Sequence, residues 1–315
     1  MDFSSQFAWD IFMSLSSEVS PTCSPTSISS IRLLFDVFKL RIGAAIGVTA
    51  LAGVAVTPGQ APATWRIAVL AASVTLASAA AGAFNQYMER DLDAQMRRTR
   101  DRPFAAGRFA ARPEWLAAIA LLGTGGVALA GFAGGAASAI YTLCGAFTYG
   151  VVYTVWLKRR TAWNIVIGGL AGSFAVLAGA AAVSPHSLLP LPICFALVLL
   201  LWTPPHFWSF AIAYRADYEA AKVPMLPVLV GDRRAARTVF AGALLLVAAT
   251  FIPVALGMGP IYLAGATIGG LYLLTTSTRL ARNPTRRNAM ANFHASLLQL
   301  ALLLLTAIVD AAMRG

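Results

Sequence analysis

Nine long apolar stretches constrain this chain more than anything else in it, at about 42–57, 67–84, 116–132, 136–155, 165–183, 189–212, 239–256, 261–277 and 295–312. Each approaches the ~20 residues that a helix needs to cross a bilayer. Backbone polar groups cannot be left unpaired in hydrocarbon, so stretches of this length predict helices. The runs at 42–57 and 261–277 are short and leave little room for tilt. Composition points the same way: 58% of the 315 residues are hydrophobic and 12% charged, against about 25% charged in an ordinary soluble domain. A soluble enzyme, a disordered chain and a disulfide scaffold are excluded. A transmembrane β-barrel, with its alternating strands, averages out far less apolar. The expectation is an all-α integral membrane protein: nine transmembrane helices in a bundle, forming one domain over residues 31–315.

The formal net charge of +11 is not spread evenly. Arg32, Lys39 and Arg41 precede the first run, and Arg90, Arg97, Arg98, Arg100, Arg102, Arg108 and Arg112 follow the second. Lys158, Arg159 and Arg160 follow the fourth. Arg215, Lys222, Arg233, Arg234 and Arg237 follow the sixth, and Arg279, Arg282, Arg286 and Arg287 the eighth. With nine spans, 22 of the 24 basic residues share one side, leaving Arg66 and Arg314 on the other. Basic loops stay cytoplasmic, so the N-terminus is expected inside and the C-terminus outside. The charge therefore needs no nucleic-acid partner. Cys23, Cys144 and Cys194 form no CxxC pair and imply neither a disulfide nor a zinc site. Residues 1–30, rich in Ser and Thr and free of Lys and Arg, lack the basic start and apolar stretch of a secretory signal. They read as a mobile tail.

The connections near 133–135, 184–188 and 257–260 are short and uncharged, whereas those at about 85–115 and 213–238 are long and charged. Long charged loops on one face are where function is expected. In the first of them Asn85, Glu89 and Asp93 are spaced i, i+4, i+8 and share one helix face. An amide oxygen and two carboxylates suit a hard cation such as Mg²⁺ together with substrate phosphates. Asp91 points away from that face. Arg98 and Arg102 are also four apart, and guanidinium forks suit a diphosphate. The plainer reading is a solvated, salt-bridged helix end.

The second constellation lies in the sixth run and the loop after it: Trp202-Thr-Pro204-Pro205-His206-Phe-Trp208, then Tyr214-Arg215-Ala-Asp217-Tyr218. Two prolines remove backbone donors and predict a kink. If helix resumes beyond it, His206 and Asp217, eleven residues apart, share a face at different depths. Asp217 is the natural second carboxylate, facing the first group across the bundle. An intramembrane histidine is a functional candidate, set against a structural His bonded to a nearby carbonyl. Tyr214 and Tyr218 are acceptor-site candidates or interfacial belt aromatics.

The run Asn85-x3-Glu89-x2-Leu92-Asp93-x2-Met96-x-Arg98-Thr99-x2-Arg102-x4-Gly107 resembles the signature of the UbiA superfamily of intramembrane prenyltransferases. Pro204-Pro205-His206-Phe207-Trp208, Asp217-Tyr218-x2-Ala221-x2-Pro224-Met225-Leu226-Pro227 and Tyr153-Thr154-x3-Lys158-Arg159-x-Thr161-x2-Asn164 are similar to its protoheme IX farnesyltransferase branch. The resemblance covers roughly residues 35–310. Ala221 stands where the quinone-precursor branch usually has a further aspartate. Ala175-Val176 and Ala180 stand where the heme branch usually has a Pro-Pro pair and a Trp.

The resemblance implies transfer of farnesyl from farnesyl diphosphate to a vinyl group of heme B, with addition of water, giving heme O and diphosphate. It places Mg²⁺ at Asn85, Glu89, Asp93 and Asp217, the diphosphate at Arg98, Arg102 and Lys158, and the acceptor at His206, Tyr214 and Tyr218. Heme B is then substrate, not cofactor. The implied setting is the bacterial cytoplasmic membrane, with the active-site loops facing the cytoplasm and with heme A synthase or oxidase assembly factors as downstream partners. A second reading keeps the scaffold and changes the acceptor, for example to an aromatic acid. A third, a transporter, explains the spans but not the two carboxylate-bearing loops.

Overall fold

The computed structural model describes residues 30–186 and 189–314. The tail expected at 1–30, with Cys23, lies outside the described residues except for Ser30, which opens a helix. Phe35–Gly315 forms one compact unit.

The described residues contain helices and no strands. The elements are α1 (Ser30–Phe38), α2 (Leu40–Val56), α3 (Thr64–Met88), α4 (Arg90–Gln95) and α5 (Pro113–Phe147), which runs on as a π-helix, Thr148–Leu157. Then come α6 (Asn164–Gly168), α7 (Leu170–Val183), α8 (Pro190–Ala213), α9 (Arg215–Ala220), α10 (Leu226–Val230), α11 (Asp232–Thr250), α12 (Ile252–Ala255), α13 (Pro260–Arg282) and α14 (Arg286–Arg314). Pro113, Pro190 and Pro260 each open a helix, where a missing N–H costs nothing.

Among the described residues six helical stretches are long and apolar enough to cross a membrane, and a seventh if α1 and α2, bent by 48° at Lys39, count as one. The chain is thus a multi-pass membrane protein. The difference from nine has two physical sources. Pro113–Leu157 is one 45-residue stretch, about 68 Å if straight, twice the ~30 Å hydrocarbon core. It is broken at Gly135, whose φ of 85° only glycine adopts freely, where a turn was expected. The helix α13 is long enough at 23 residues, but glycines, threonines and Ser277 dilute its apolar character.

Close crossings hold the bundle together. A Cβ at Gly53 would collide with the carbonyl of Val176, and one at Gly179 with that of Ala50, so α2 and α7 meet backbone to backbone. Polar side chains link α14 to its neighbours. Asn292 accepts from Thr276 (2.8 Å) and Ser277 (2.7 Å) of α13 and donates to Ser209 (2.8 Å) of α8. The prolines 204 and 205 sit inside α8, which runs through them; the chain breaks at Tyr214 (φ −118°, ψ 29°) instead. Trp202 Nε1 donating to Ser296 O (2.8 Å) ties the proline turn to α14.

At the far end of α14 the buried Asp310 caps α13. It accepts from the backbone N–H groups of Gly259 (2.7 Å), Ile261 (3.2 Å) and Tyr262 (3.3 Å) and pairs with Arg314 (2.9 Å). A carboxylate at a helix N-terminus satisfies orphan donors and meets the positive end of the dipole. Asp310→Ala should therefore cost about 2 kcal/mol. Thermal denaturation in detergent checks this: an unchanged midpoint would show the cap to be dispensable.

Candidate active site

The site is built where α3 ends. At Glu89 the backbone departs from helix (φ −100°, ψ 10°), yet the i→i+4 ladder continues. Glu89 N–H donates to Asn85 O (3.0 Å) and Asp93 N–H to Glu89 O (2.8 Å). Asn85, Glu89 and Asp93 therefore stay stacked, and all three are buried, at 3%, 1% and 3% exposure. Buried carboxylates require partners, and each has a cation. Lys158 Nζ donates to Glu89 Oε2 at 2.5 Å. Arg102 Nη1 donates to both Asp93 oxygens, at 3.0 and 2.9 Å. Asn85 Oδ1 accepts from Lys39 Nζ at 2.6 Å, and its Nδ2 donates to Thr154 Oγ1 at 3.1 Å.

The π-helix supplies one wall. Lys158 N–H donates to Tyr153 O (2.9 Å), the i→i+5 bond that defines that winding. It brings Thr154 against Asn85 and Lys158 against Glu89. Tyr149 and Tyr153 stack at 5.7 Å, and Tyr149 OH accepts from Lys39 (3.2 Å). Lys39 sits in the left-handed region (φ 47°) at the bend between α1 and α2. Its charge suggested only an inner-side loop residue; nothing in the sequence marks it or Tyr149 as a site residue, and Thr154 entered only as part of the Tyr153–Asn164 motif.

The acids do not form a ready metal cage. Among the described residues no three His, Cys, Asp or Glu side chains gather around one point. Asp217 Oδ2 accepts the backbone N–H of Arg98 (3.2 Å), so the second loop touches the first. One atom stands out: Glu89 Oε1 is buried with no hydrogen-bond partner. A bare hard oxygen beside Asp93 fits a divalent cation that takes only one or two carboxylates and completes its shell with phosphate and water.

The two arginines expected to act together part company. Arg102 stays on Asp93, whereas the Arg98 guanidinium lies over the rings of Phe210 (4.8 Å) and Tyr214 (5.5 Å). Tyr218 is buried against Leu92, Met96 and Tyr153. His206 is packed between Trp202 (4.1 Å) and Phe293 (4.4 Å), with Nδ1 2.7 Å from Ser296 Oγ. The break at Tyr214 removes the continuous helix that would have set His206 and Asp217 on one face.

Asp91 lies on the surface in a bidentate pair with Arg159 (2.8 and 2.9 Å). Partial desolvation raises its carboxyl, but the Arg159 hydrogen bond and charge outweigh that and hold it below the usual carboxylate range. Both side chains are about half exposed, so Asp91→Asn should change stability by no more than about 0.5 kcal/mol and leave turnover near wild type. A large loss of turnover would bring Asp91 into the site. A cavity of about 160 Å³ lined by Thr57, Tyr141, Ser184 and His186 lies at the opposite end of the bundle from this chemistry.

Over 287 residues the chain is 52% identical to protoheme IX farnesyltransferase 2 of Paramagnetospirillum magneticum, covering 91% of this chain and 99% of that protein. Its fold matches a solved structure described as digeranylgeranylglyceryl phosphate synthase, with a TM-score of 0.73 at 16% identity, covering 90% of this chain and 99% of that one. It also matches a UbiA homolog from Archaeoglobus fulgidus bound to GPP and Mg²⁺, with a TM-score of 0.62 at 15% identity, covering 88% and 99%. Residues 46–302 match the UbiA prenyltransferase family, and the chain belongs to that family.

Proposed function

We propose that this prenyltransferase moves the farnesyl group of farnesyl diphosphate onto a vinyl group of heme B, giving heme O. The observation that carries the reading is the buried Asn85–Glu89–Asp93 stack with its captive cations, in a chain half identical to a protoheme IX farnesyltransferase. The nine-span topology, with Gly135 dividing Pro113–Leu157 and the basic loops inside, belongs to this reading. So does a bacterial cytoplasmic membrane setting with both acidic loops at the inner face.

A Mg²⁺ ion held by Glu89 and Asp93, with Asn85 stacked beside them, would neutralise diphosphate charge and make it a better leaving group; Asp217 meets the same loop at the Arg98 N–H. Lys158 and Arg102 hold those carboxylates and are within reach of an arriving diphosphate. Transferring their hydrogen bonds to its oxygens favours the charge that develops as the C–O bond breaks. Diphosphate leaves with the bonding pair, and the allylic carbon takes the π pair of the vinyl group. Water adds to the carbon left electron-poor and loses a proton. The rings of Tyr149 and Tyr153 and the packed α8–α14 wall limit water at the allylic carbon.

Purified protein incubated with farnesyl diphosphate, Mg²⁺ and heme B should yield heme heavier by one farnesyl group and one hydroxyl group. Release of diphosphate with unchanged heme would reject the acceptor, and the absence of both would reject the reading.

A further inference from the structure

The aromatic rings of α8 and α14 form one continuous strip. Trp202 stacks on His206 and His206 on Phe293, at 4.1 and 4.4 Å between centroids. Phe293 meets Phe210 at 5.0 Å, and Phe210 meets Tyr214 at 4.6 Å. Two guanidiniums lie at its end: Arg98 on Phe210 and Tyr214, and Arg286 on Tyr214 at 5.3 Å. Among the described residues neither guanidinium pairs with a carboxylate: Glu89, Asp93, Asp91 and Asp232 are taken by Lys158, Arg102, Arg159 and Arg215, and Asp217 meets Arg98 only through the backbone N–H (3.2 Å).

Two like charges on one tyrosine ring repel each other. The ring face returns only about 0.5–1 kcal/mol to each at an exposed site and leaves both formal charges in place. Each fork keeps its N–H donors for a planar anion. In the middle of the strip, Ser296 Oγ spends its one proton on Phe293 O (2.7 Å). His206 Nδ1 lies 2.7 Å from that oxygen; in the tautomer that donates there, Nε2 keeps a lone pair. From His206 to Tyr214, the residue that ends α8, is eight positions, about 12 Å. An apolar aromatic wall with a nitrogen lone pair partway along and a dicationic end complements a flat, metal-bearing molecule with carboxylates at one edge.

We propose that Arg98 and Arg286, held on the Phe210–Tyr214 rings, form a clamp for the carboxylates of the acceptor, which in heme B are its two propionates. The assignment rests on the heme reading above for the identity of the acid. It separates two anion sites: Arg102 and Lys158 for the diphosphate, Arg98 and Arg286 for the acceptor.

The test titrates heme B and its dimethyl ester, which lacks both carboxylates, into the full-length detergent-solubilised protein and follows heme absorbance. Arg286→Gln and Arg98→Gln should each weaken heme B binding about tenfold, the loss of one charge-assisted hydrogen-bonding group. Both should bind the diester as the wild type does, which also shows that the variants are folded. The KM for farnesyl diphosphate should not move in Arg286→Gln. Equal weakening toward heme B and diester, or no weakening toward either, overturns the clamp. A titration that discriminates as expected while no farnesylated heme forms upholds the clamp and rejects heme transfer.

Discussion

Asp93→Ala should lower farnesyl transfer about a thousandfold, the scale of losing one preorganised electrostatic group at a reacting centre. Asp93 is 3% exposed and receives Arg102 through both oxygens, and Thr99 Oγ1 donates to its backbone carbonyl (3.0 Å). Alanine would remove the Asp93 carboxylate from the proposed cation position and release Arg102 from its place. Both effects act on the same event, neutralisation of a strongly anionic leaving group. Asp93 lies beyond the end of α3, so its loss should leave membrane insertion and the bundle intact. Asp93→Asn separates the two effects, because the amide oxygen can still accept from Arg102 while the charge is gone. If charge matters, the asparagine variant is nearly as slow as the alanine one. Product mass analysis on folded protein decides, and normal turnover by Asp93→Ala would remove Asp93 from the chemistry.

What the sequence made legible was whatever follows from local periodicity. The i, i+4, i+8 spacing of Asn85, Glu89 and Asp93 survived a break in the helix because the backbone ladder carried through it. Helical class followed from run length. Spacing could not reveal partners from distant segments: Lys39 is 46 residues from Asn85, and Lys158 is 69 from Glu89. Arg286, some 70 residues from Tyr214, looked like one more inner-side basic residue. Local rules also misplaced the break in the sixth run. Pro204 and Pro205 cost hydrogen bonds, but packing on α14 through Trp202 and His206 keeps α8 continuous, and the chain turns at Tyr214. The pair Arg98 and Arg102, four apart in sequence, separates because the turns at 96–102 are not α-helical.

A loss of another kind is expected at Lys158. Its ammonium is the partner of Glu89, at 2.5 Å, with the two side chains 11% and 1% exposed. Lys158→Met would leave a carboxylate buried with neither oxygen paired, since Oε1 already lacks a partner. Breaking a buried pair from one side costs about 3–5 kcal/mol, so the variant should melt well below the wild type. Removing both charges should behave differently. In Glu89→Gln/Lys158→Met neither member of this pair is left as an uncompensated ion, and most of the stability should return. Activity should not, because the double variant lacks a carboxylate at the cation position and a cation at the diphosphate position. Thermal denaturation and product formation on the two single variants and the double variant complete the cycle. A double variant as unstable as Lys158→Met would show that packing, not charge, holds this wall. One that is stable and fully active would move the catalytic centre away from Glu89. The expected result, stability regained without turnover, would mean that the pair is kept for the reaction and at a cost to the fold.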